Sequence, residues 1–313
     1  MSDSLPMPVT APLSPAQRMQ LFNLVRRAAR TEIMPRFRKL GTHQIGEKTG
    51  PHDLVTEADK ASEAMITRGL QIMFPHALIV GEEAASAHPE MIDKIAGAEL
   101  CFTIDPIDGT WNYAKGLPLF GVMVSVLRFG RPVLGLLYDP VLNDIIWADT
   151  DHSARMQLPQ RTSRSVLTAH DQHRPLNQLN GFVALFLLPP DKRAEAASKL
   201  PLFDRVWSLR CACHEFRTLA QGEIDFVLFP KLTAWDQPAG VIVTRQAGGH
   251  VAMLDGSEYR GDTKSGYLLA ASDQETWNRV AEVFSFLVDT PVKSTPAPER
   301  NAFPGETAVD SDA

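Results

Sequence analysis

The sequence predicts an α+β protein, and three observations carry that expectation. Apolar residues recur at helical spacing near the start, at Leu21, Leu24, Val25 and Ala28. Residues 120–148 read as a β-meander. Beyond about residue 180, strand-like runs alternate with helix-like stretches.

Taken in order, residues 1–13 are rich in Pro and Ser and are expected to be disordered. Ser14-Pro15 reads as a helix start, a capping residue followed by proline at the first helical position. Pro35 should kink or end that helix. Residues 41–53 read as a loop or hairpin. A second helix should begin near Thr56, with Ile66, Leu70, Met73 and Phe74 as its buried stripe and Pro75 as its stop. Two short apolar runs follow, 77–80 and 100–104. Each reads as a strand ending in acids, Gly81-Glu82-Glu83 and Asp105.

In the meander, 120–128 and 132–138 flank a tight Phe129-Gly130-Arg131 turn, and 145–148 follows. Residues 150–180 are polar and poorly patterned. They mark a transition between an N-terminal half (14–150) and a C-terminal half (151–288). In the second half, 181–188, 226–229 and 267–271 read as strands. Residues 210–222, 237–247 and 275–288 read as helices, with Gly248-Gly249 capping the second of them. From 289 to 313 the composition is that of a disordered tail.

At 313 residues, 44% apolar and 22% charged, the chain can bury a substantial core and resembles an ordinary soluble protein. A net charge of −6 argues against nucleic acid as the main partner. The N-terminus lacks a basic region followed by an apolar run. No stretch approaches the ~18–20 apolar residues of a spanning helix, so neither secretion nor a membrane is expected. Cys101, Cys211 and Cys213 form no metal-finger spacing, and their odd number argues against a disulfide framework. A reducing, cytoplasmic setting and buried structural roles are expected for them.

The chemistry concentrates in Asp105-Pro106-Ile107-Asp108-Gly109-Thr110. Two carboxylates on one turn can hold hard divalent cations through oxygen. Gly109 permits a tight turn or a close approach to a ligand. Thr110 adds a hydroxyl and an amide at a helix start, which suits a phosphate. Three further stretches carry acids, each with a purely local explanation. Gly81-Glu82-Glu83 reads as a solvated loop or helix start. Thr56 and Asp59 fit a capping box. Asp236, before Pro238, reads as an N-cap.

Together, D-x-x-T-x-x-D (from Asp53), G-E-E, D-P-I-D-G-T and W-D-x-x-A-G (from Trp235) resemble the inositol monophosphatase family over roughly residues 15–285. The D-P-I-D-G-T signature is specific, and its company of three other motifs in order makes coincidence improbable. The resemblance implies alternating layers of helices and sheets, an αβαβα sandwich like that of the inositol monophosphatases and fructose-1,6-bisphosphatases. It implies magnesium-dependent hydrolysis of a small phosphorylated metabolite, lithium sensitivity and a homodimer. Two or three Mg2+ ions are implied per site. Glu82, Asp105 and the Ile107 carbonyl match the ligands of the first ion; Asp105, Asp108 and Asp236 match those of the second. Glu82 is implied to hold a third through water. Gly109 and Thr110 match the phosphate-binding amides. Thr110 and Asp59 match the pair that orients the attacking water, and Lys48 matches a loop lysine near the site.

Two positions depart from the inositol-specific pattern. Phe229 stands where a glutamate meets the sugar hydroxyls, and Arg210 stands where a glycine opens the stretch lining the substrate. The expected pocket thus loses an acid and gains a cation and an aromatic face, disfavouring inositol phosphate. The local alternatives are core packing for Phe229, and a surface ion pair or dimer contact for Arg210. Trp111 is expected to pack into the core. Competing activities within the superfamily are bisphosphate nucleotidase, histidinol phosphatase and sugar phosphatase. From another class, a regulatory binding protein on a phosphatase scaffold would announce itself by a missing carboxylate. Asp59, Glu82, Asp105, Asp108 and Asp236 are all present.

Overall fold

The computed structural model describes residues 13–159, 163–165 and 174–288. The stretches 1–12 and 289–313, expected to be disordered, lie outside the described residues. Leu13, which the sequence groups with the disordered N-terminus, is instead buried in the core.

Helix α1 (Pro15–Ala28) opens with a capping box. The Ser14 side chain accepts from Gln17 N at 3.3 Å, and the Gln17 side chain accepts from Ser14 N at 2.8 Å. A π-turn, Ala29–Ile33, ends the helix before Pro35. The expected hairpin forms as β1 (Ile45–Gly50) and β2 (Asp53–Thr56) and delivers Thr56 as the N-cap of α2 (Glu57–Met73). Next come β3 (Leu78–Gly81), α3 (Glu82–Ala87), β4 (Cys101–Asp108) and α4 (Thr110–Ala114). The meander comprises β5 (Gly121–Arg128), β6 (Arg131–Asp139), β7 (Asp144–Asp149), β8 (His152–Gln157) and β9 (Ser163–Ser165). Strands β3 to β9 form one seven-stranded sheet in sequence order. Because β8 and β9 continue that sheet, the transition falls later than residue 150, where weak patterning suggested it.

The second half contains β10 (Asn180–Val183), α5 (Pro190–Lys199), β11 (Arg205–Trp207), α6 (Ala212–Ala220), β12 (Phe226–Phe229) and α7 (Pro238–Gln246). It closes with β13 (His250–Met253), β14 (Leu268–Ala271) and α8 (Gln274–Val283). Its five strands run in the order β11-β10-β12-β14-β13, with the first three parallel. Three boundaries differ from the sequence reading. The strand expected at 181–188 stops at Val183, and Leu185–Leu187 is a 3-10 turn before Pro189-Pro190, which cannot continue a ladder. The helix expected from Arg210 begins at Ala212. The closing helix ends at Val283, and Ser285–Leu287 tightens to 3-10.

Five layers result. On β5, the inward-alternating residues Val122, Val124 and Val126 pack with Leu21, Phe22 and Val25 of α1 and Ile66 and Leu70 of α2. The opposite face sends Met123 and Leu137 against Phe216 of α6 and Val241 and Val243 of α7. Those helices also meet Val227, Val251 and Ala270 of the second sheet. The far face of that sheet packs on Ala196 of α5 and Trp277 and Val280 of α8. Central strands are buried on both faces, so they read as continuous apolar runs.

Helix α7 lies directly on β6. A Cβ at Gly135 would sit 2.2 Å from the carbonyl oxygen of Ala239, so glycine sets the approach of the helix to the sheet. Gly135→Ala is expected to cost about 1–3 kcal/mol of stability, read as a lower urea midpoint with an unchanged slope. An unchanged midpoint would mean that the helix tolerates lifting from the sheet.

Candidate active site

Parallel pairing of β3 with β4 puts Gly81 opposite Ile104. The next residues, Glu82 just past the end of β3 and Asp105 within β4, therefore lie side by side. Strand β4 carries an irregularity against β5 between Asp105 and Asp108, and Asp105 Oδ1 accepts from Ile107 N at 3.0 Å. Gly109, at φ +84°, turns the chain into α4, where a Cβ would sit 2.9 Å from the Leu119 carbonyl. Thr110 Oγ1 lies 2.9 Å from the Ile107 carbonyl and 3.3 Å from Asp59 Oδ1. With one proton, it donates to one of them at a time. The capping box forms as expected: Asp59 Oδ2 accepts from Thr56 N at 2.8 Å and from Thr56 Oγ1 at 2.5 Å.

Asp236 enters from the loop before α7. The N-cap role expected for it is not observed. Gln237 is the N-cap residue, and Asp236 N donates to Thr233 Oγ1 at 3.1 Å. The Asp236 carboxyl is free of capping and is close enough to Asp105 and Asp108 for its charge to disfavour ionisation of Asp105. Lys48 is not an exposed loop lysine. It sits on β1, and its Nζ lies 2.7 Å from both Glu82 and Glu83.

Burial is the first cause of every pKa shift in the cluster. It drives Asp105 well above the usual carboxylate range, with repulsion from Glu82, Asp108 and Asp236 behind it. Glu82 is raised by burial, partly offset by Lys48. Asp108 and Asp236 are pushed up to about 6, and Asp59 to about 7. Burial by itself would lower Lys48; attraction from Glu82 and Glu83 raises it instead. Several crowded carboxylates thus share one close lysine. Such an oxygen-rich, charge-deficient donor set fits hard divalent cations. Among the described residues, no group of three or more such side chains is already arranged to hold a metal ion.

Several contributors escape a reading of motifs. Glu63 of α2 accepts from Glu83 N at 2.8 Å and Ala84 N at 2.9 Å, fixing the start of α3. Its signal was present, because Asp59 and Glu63 fall on the same buried stripe as Ile66 and Leu70. Cys211 and Cys213 are buried and unbridged, yet they also serve the site. Cys211 Sγ lies 3.0 Å from Asp108 Oδ2, and Cys213 N donates to the same oxygen. Trp111 does not pack into the core. It lines the cleft, and the Arg210 guanidinium lies 4.1 Å from its ring centroid. The inward residues of α4 are Asn112 and Tyr113. Phe229 fills both roles weighed for it, stacking on Phe216 at 4.6 Å and lining the cleft. Arg210 adopts φ +55°, a region where a non-glycine residue costs of order 1–3 kcal/mol.

With this cleft between its layers, the protein belongs among the phosphoric monoester hydrolases. More narrowly, residues 17–288 match the inositol monophosphatase family, whose members use divalent metal ions, and the chain belongs to that family. It is 30% identical over 252 residues to the histidinol-phosphatase of Streptomyces coelicolor, covering 76% of this chain and 87% of that one. It is also 30% identical over 256 residues to the inositol-1-monophosphatase of Synechocystis sp., covering 78% and 81%. Its fold matches inositol monophosphatase II of Staphylococcus aureus with a TM-score of 0.71 at 20% identity, over 86% of this chain and 95% of that one. Among the described residues no helix is long and apolar enough to cross a membrane.

Raised carboxylate values set the pH dependence of stability. Between about pH 4 and 7 the folded chain keeps protons on Asp59, Asp108, Glu215 and Asp236 that the unfolded chain has released. Metal-free stability must therefore fall as pH rises through that window. In EDTA, the Tm is expected to drop by roughly 5 °C or more between pH 5 and pH 8, with a smaller drop in Asp59→Asn. A Tm that rises with pH would contradict the burial of these acids.

Proposed function

We propose that the protein is a Mg2+-dependent phosphatase that hydrolyses a small-molecule phosphate monoester by direct attack of water. The observation that most supports this reading is the Thr110–Asp59 pair at 3.3 Å, set in a cleft with Glu82, Asp108 and Asp236 and beside Asp105. Glu82, Asp105, Asp108, Asp236 and the Ile107 carbonyl would hold two or three Mg2+ ions. When bound, these supply charge neutralisation at the phosphate, a more acidic water and stabilisation of the leaving alkoxide. Thr110 and Asp59 hold the attacking water in line, and Asp59 takes its proton. The backbone N–H groups of Gly109 and Thr110 donate to the phosphate oxygens. Lys48 fixes Glu82 against its neighbours. No side chain is needed as a covalent nucleophile.

The relatives' names span histidinol phosphate, inositol 1-phosphate and fructose 1,6-bisphosphate. Inositol 1-phosphate is not the preferred substrate in this reading. Phe229 offers an aromatic face where a polyol needs a hydrogen-bonding acid. A homodimer in a reducing cytoplasm completes the proposal; the three unbridged thiols support the compartment. Some relatives are named Nus factor SuhB. A purely regulatory role here is disfavoured by the intact set of Asp59, Glu82, Asp105, Asp108 and Asp236.

Phosphate release should be measured on inositol 1-phosphate, histidinol phosphate, fructose 1,6-bisphosphate and adenosine 3′,5′-bisphosphate, with Mg2+, with EDTA and with added lithium. Turnover is expected only with Mg2+ and is expected to weaken with lithium. Asp105→Asn should lower kcat/KM by about 100-fold or more, beyond what loss of an outer-shell partner costs. Equal turnover in EDTA, or full activity of Asp105→Asn, would refute the proposed chemistry.

A further inference from the structure

We infer that Arg210, framed by Trp111 and Phe186, forms a subsite for a second oxyanion on the alcohol portion of the substrate. The substrate class is then a small phosphate monoester that also carries a carboxylate or another phosphate. This rests on the phosphatase reading above and narrows it.

The backbone supplies the first support. Arg210 stands at φ +55°, a conformation that glycine adopts freely and a long side chain does not. The loop is clamped in that shape. Glu215, buried on α6, accepts from Ser208 Oγ at 3.1 Å and Leu209 N at 2.9 Å, while Arg210 N donates to Ser208 Oγ at 3.1 Å. Glu215 is thereby committed to the loop backbone. It does not pair with the Arg210 guanidinium beside it.

The side chain supplies the second. Arg210 Cζ lies 4.1 Å from the Trp111 ring centroid and 5.0 Å from that of Phe186. The rings cover the guanidinium but accept no conventional hydrogen bond, so its N–H fork stays available. Among the described residues no carboxylate forms an ion pair with it, although Arg18, Arg174 and Arg217, each beside a buried acid, are paired. A planar fork, oriented by aromatic rings and lacking an acid, is matched by a carboxylate or phosphate.

Position supplies the third. Arg210 lines the same cleft as Glu82, Asp108, Thr110 and Asp236. Trp111 directly follows Thr110, so the guanidinium over its ring lies close to the Thr110 turn within the same cleft. Ala184, Leu187 and Phe229 give part of the cleft wall an apolar surface, while Lys231 adds a second cation to the lining. An anion on that wall finds Arg210 with its N–H fork unpaired among the described residues.

The test compares substrates that differ only in the second charge, with the Mg2+-loaded full-length enzyme. 3-Phosphoglycerate against glycerol 3-phosphate probes a carboxylate. Fructose 1,6-bisphosphate against fructose 1-phosphate probes a phosphate. The anionic member of at least one pair is expected to show a kcat/KM about tenfold or more above its partner, as for a charge-assisted hydrogen bond. The pair that shows it identifies the anion. In Arg210→Gln the ratio should fall to about one. Arg210→Gly suits the positive φ, so it should melt no lower than the wild type while losing the same preference. A wild-type ratio near one, or a ratio that survives both substitutions, overturns the subsite. Mg2+-dependent hydrolysis of the neutral members would then leave the phosphatase reading intact. No Mg2+-dependent hydrolysis of these four or of p-nitrophenyl phosphate would overturn both.

Discussion

The burial of several carboxylates in one place governs this molecule. Glu82, Asp105, Asp108 and Asp236 sit together at low exposure; burial raises the cost of ionising each of them, and repulsion adds to it, at Asp105 from the other three, at Glu82 from Asp236 and at Asp236 from Asp108. In isolation such a group would splay apart or take up protons. The fold answers with donors to several of these acids and to Asp59. Ile107 N holds Asp105, Cys213 N holds Asp108, Lys48 holds Glu82, and the Thr56 backbone and hydroxyl hold Asp59. Every one of these anchors belongs to a strand, a helix end or a tight turn. The acids are therefore fixed by rigid elements, which is what electrostatic preorganisation requires.

The same constraint explains why two halves are needed. Asp105 and Asp108 end a strand of the first sheet, whereas Asp236 and the donors to Asp108 come from the second half. Helices α6 and α7 fill the space between the sheets. Close contact at Gly135 draws α7, and with it Asp236, towards the sheet that carries the aspartates. Packing energy in this middle layer thus offsets part of the electrostatic cost of the site.

Chemistry and selectivity are separated in space. Acids and the Thr110 turn occupy the junction of the layers, where position is set by the core. The rest of the cleft is lined by the 3-10 turn at Leu185–Leu187, the 208–210 loop and the end of β12. Such loops accept changes in sequence without disturbing the catalytic frame. Glu215 illustrates the division: it is an acid beside the site whose hydrogen bonds shape a loop.

Local patterns determined a good deal. The Ser14 and Thr56 capping boxes, the meander and β12 follow from short-range preferences, and the acids of the G-E-E and D-P-I-D-G-T motifs carried the likeness to the family. Other features were decided only when distant segments met. Weak patterning at 150–180 hid two strands because their partners, not their own residues, hold them in the sheet. Asp236 looked like a helix cap because a cap needs only its neighbours, whereas its place beside Asp105 and Asp108 depends on the two halves meeting. Trp111 looked like core because aromatic residues usually are, until Arg210, far along the chain, was placed over its ring. Residue identity and spacing fix what a group can do. Which partner it meets, and hence its charge and role, is set by tertiary packing, because burial and proximity are properties of the assembled fold alone.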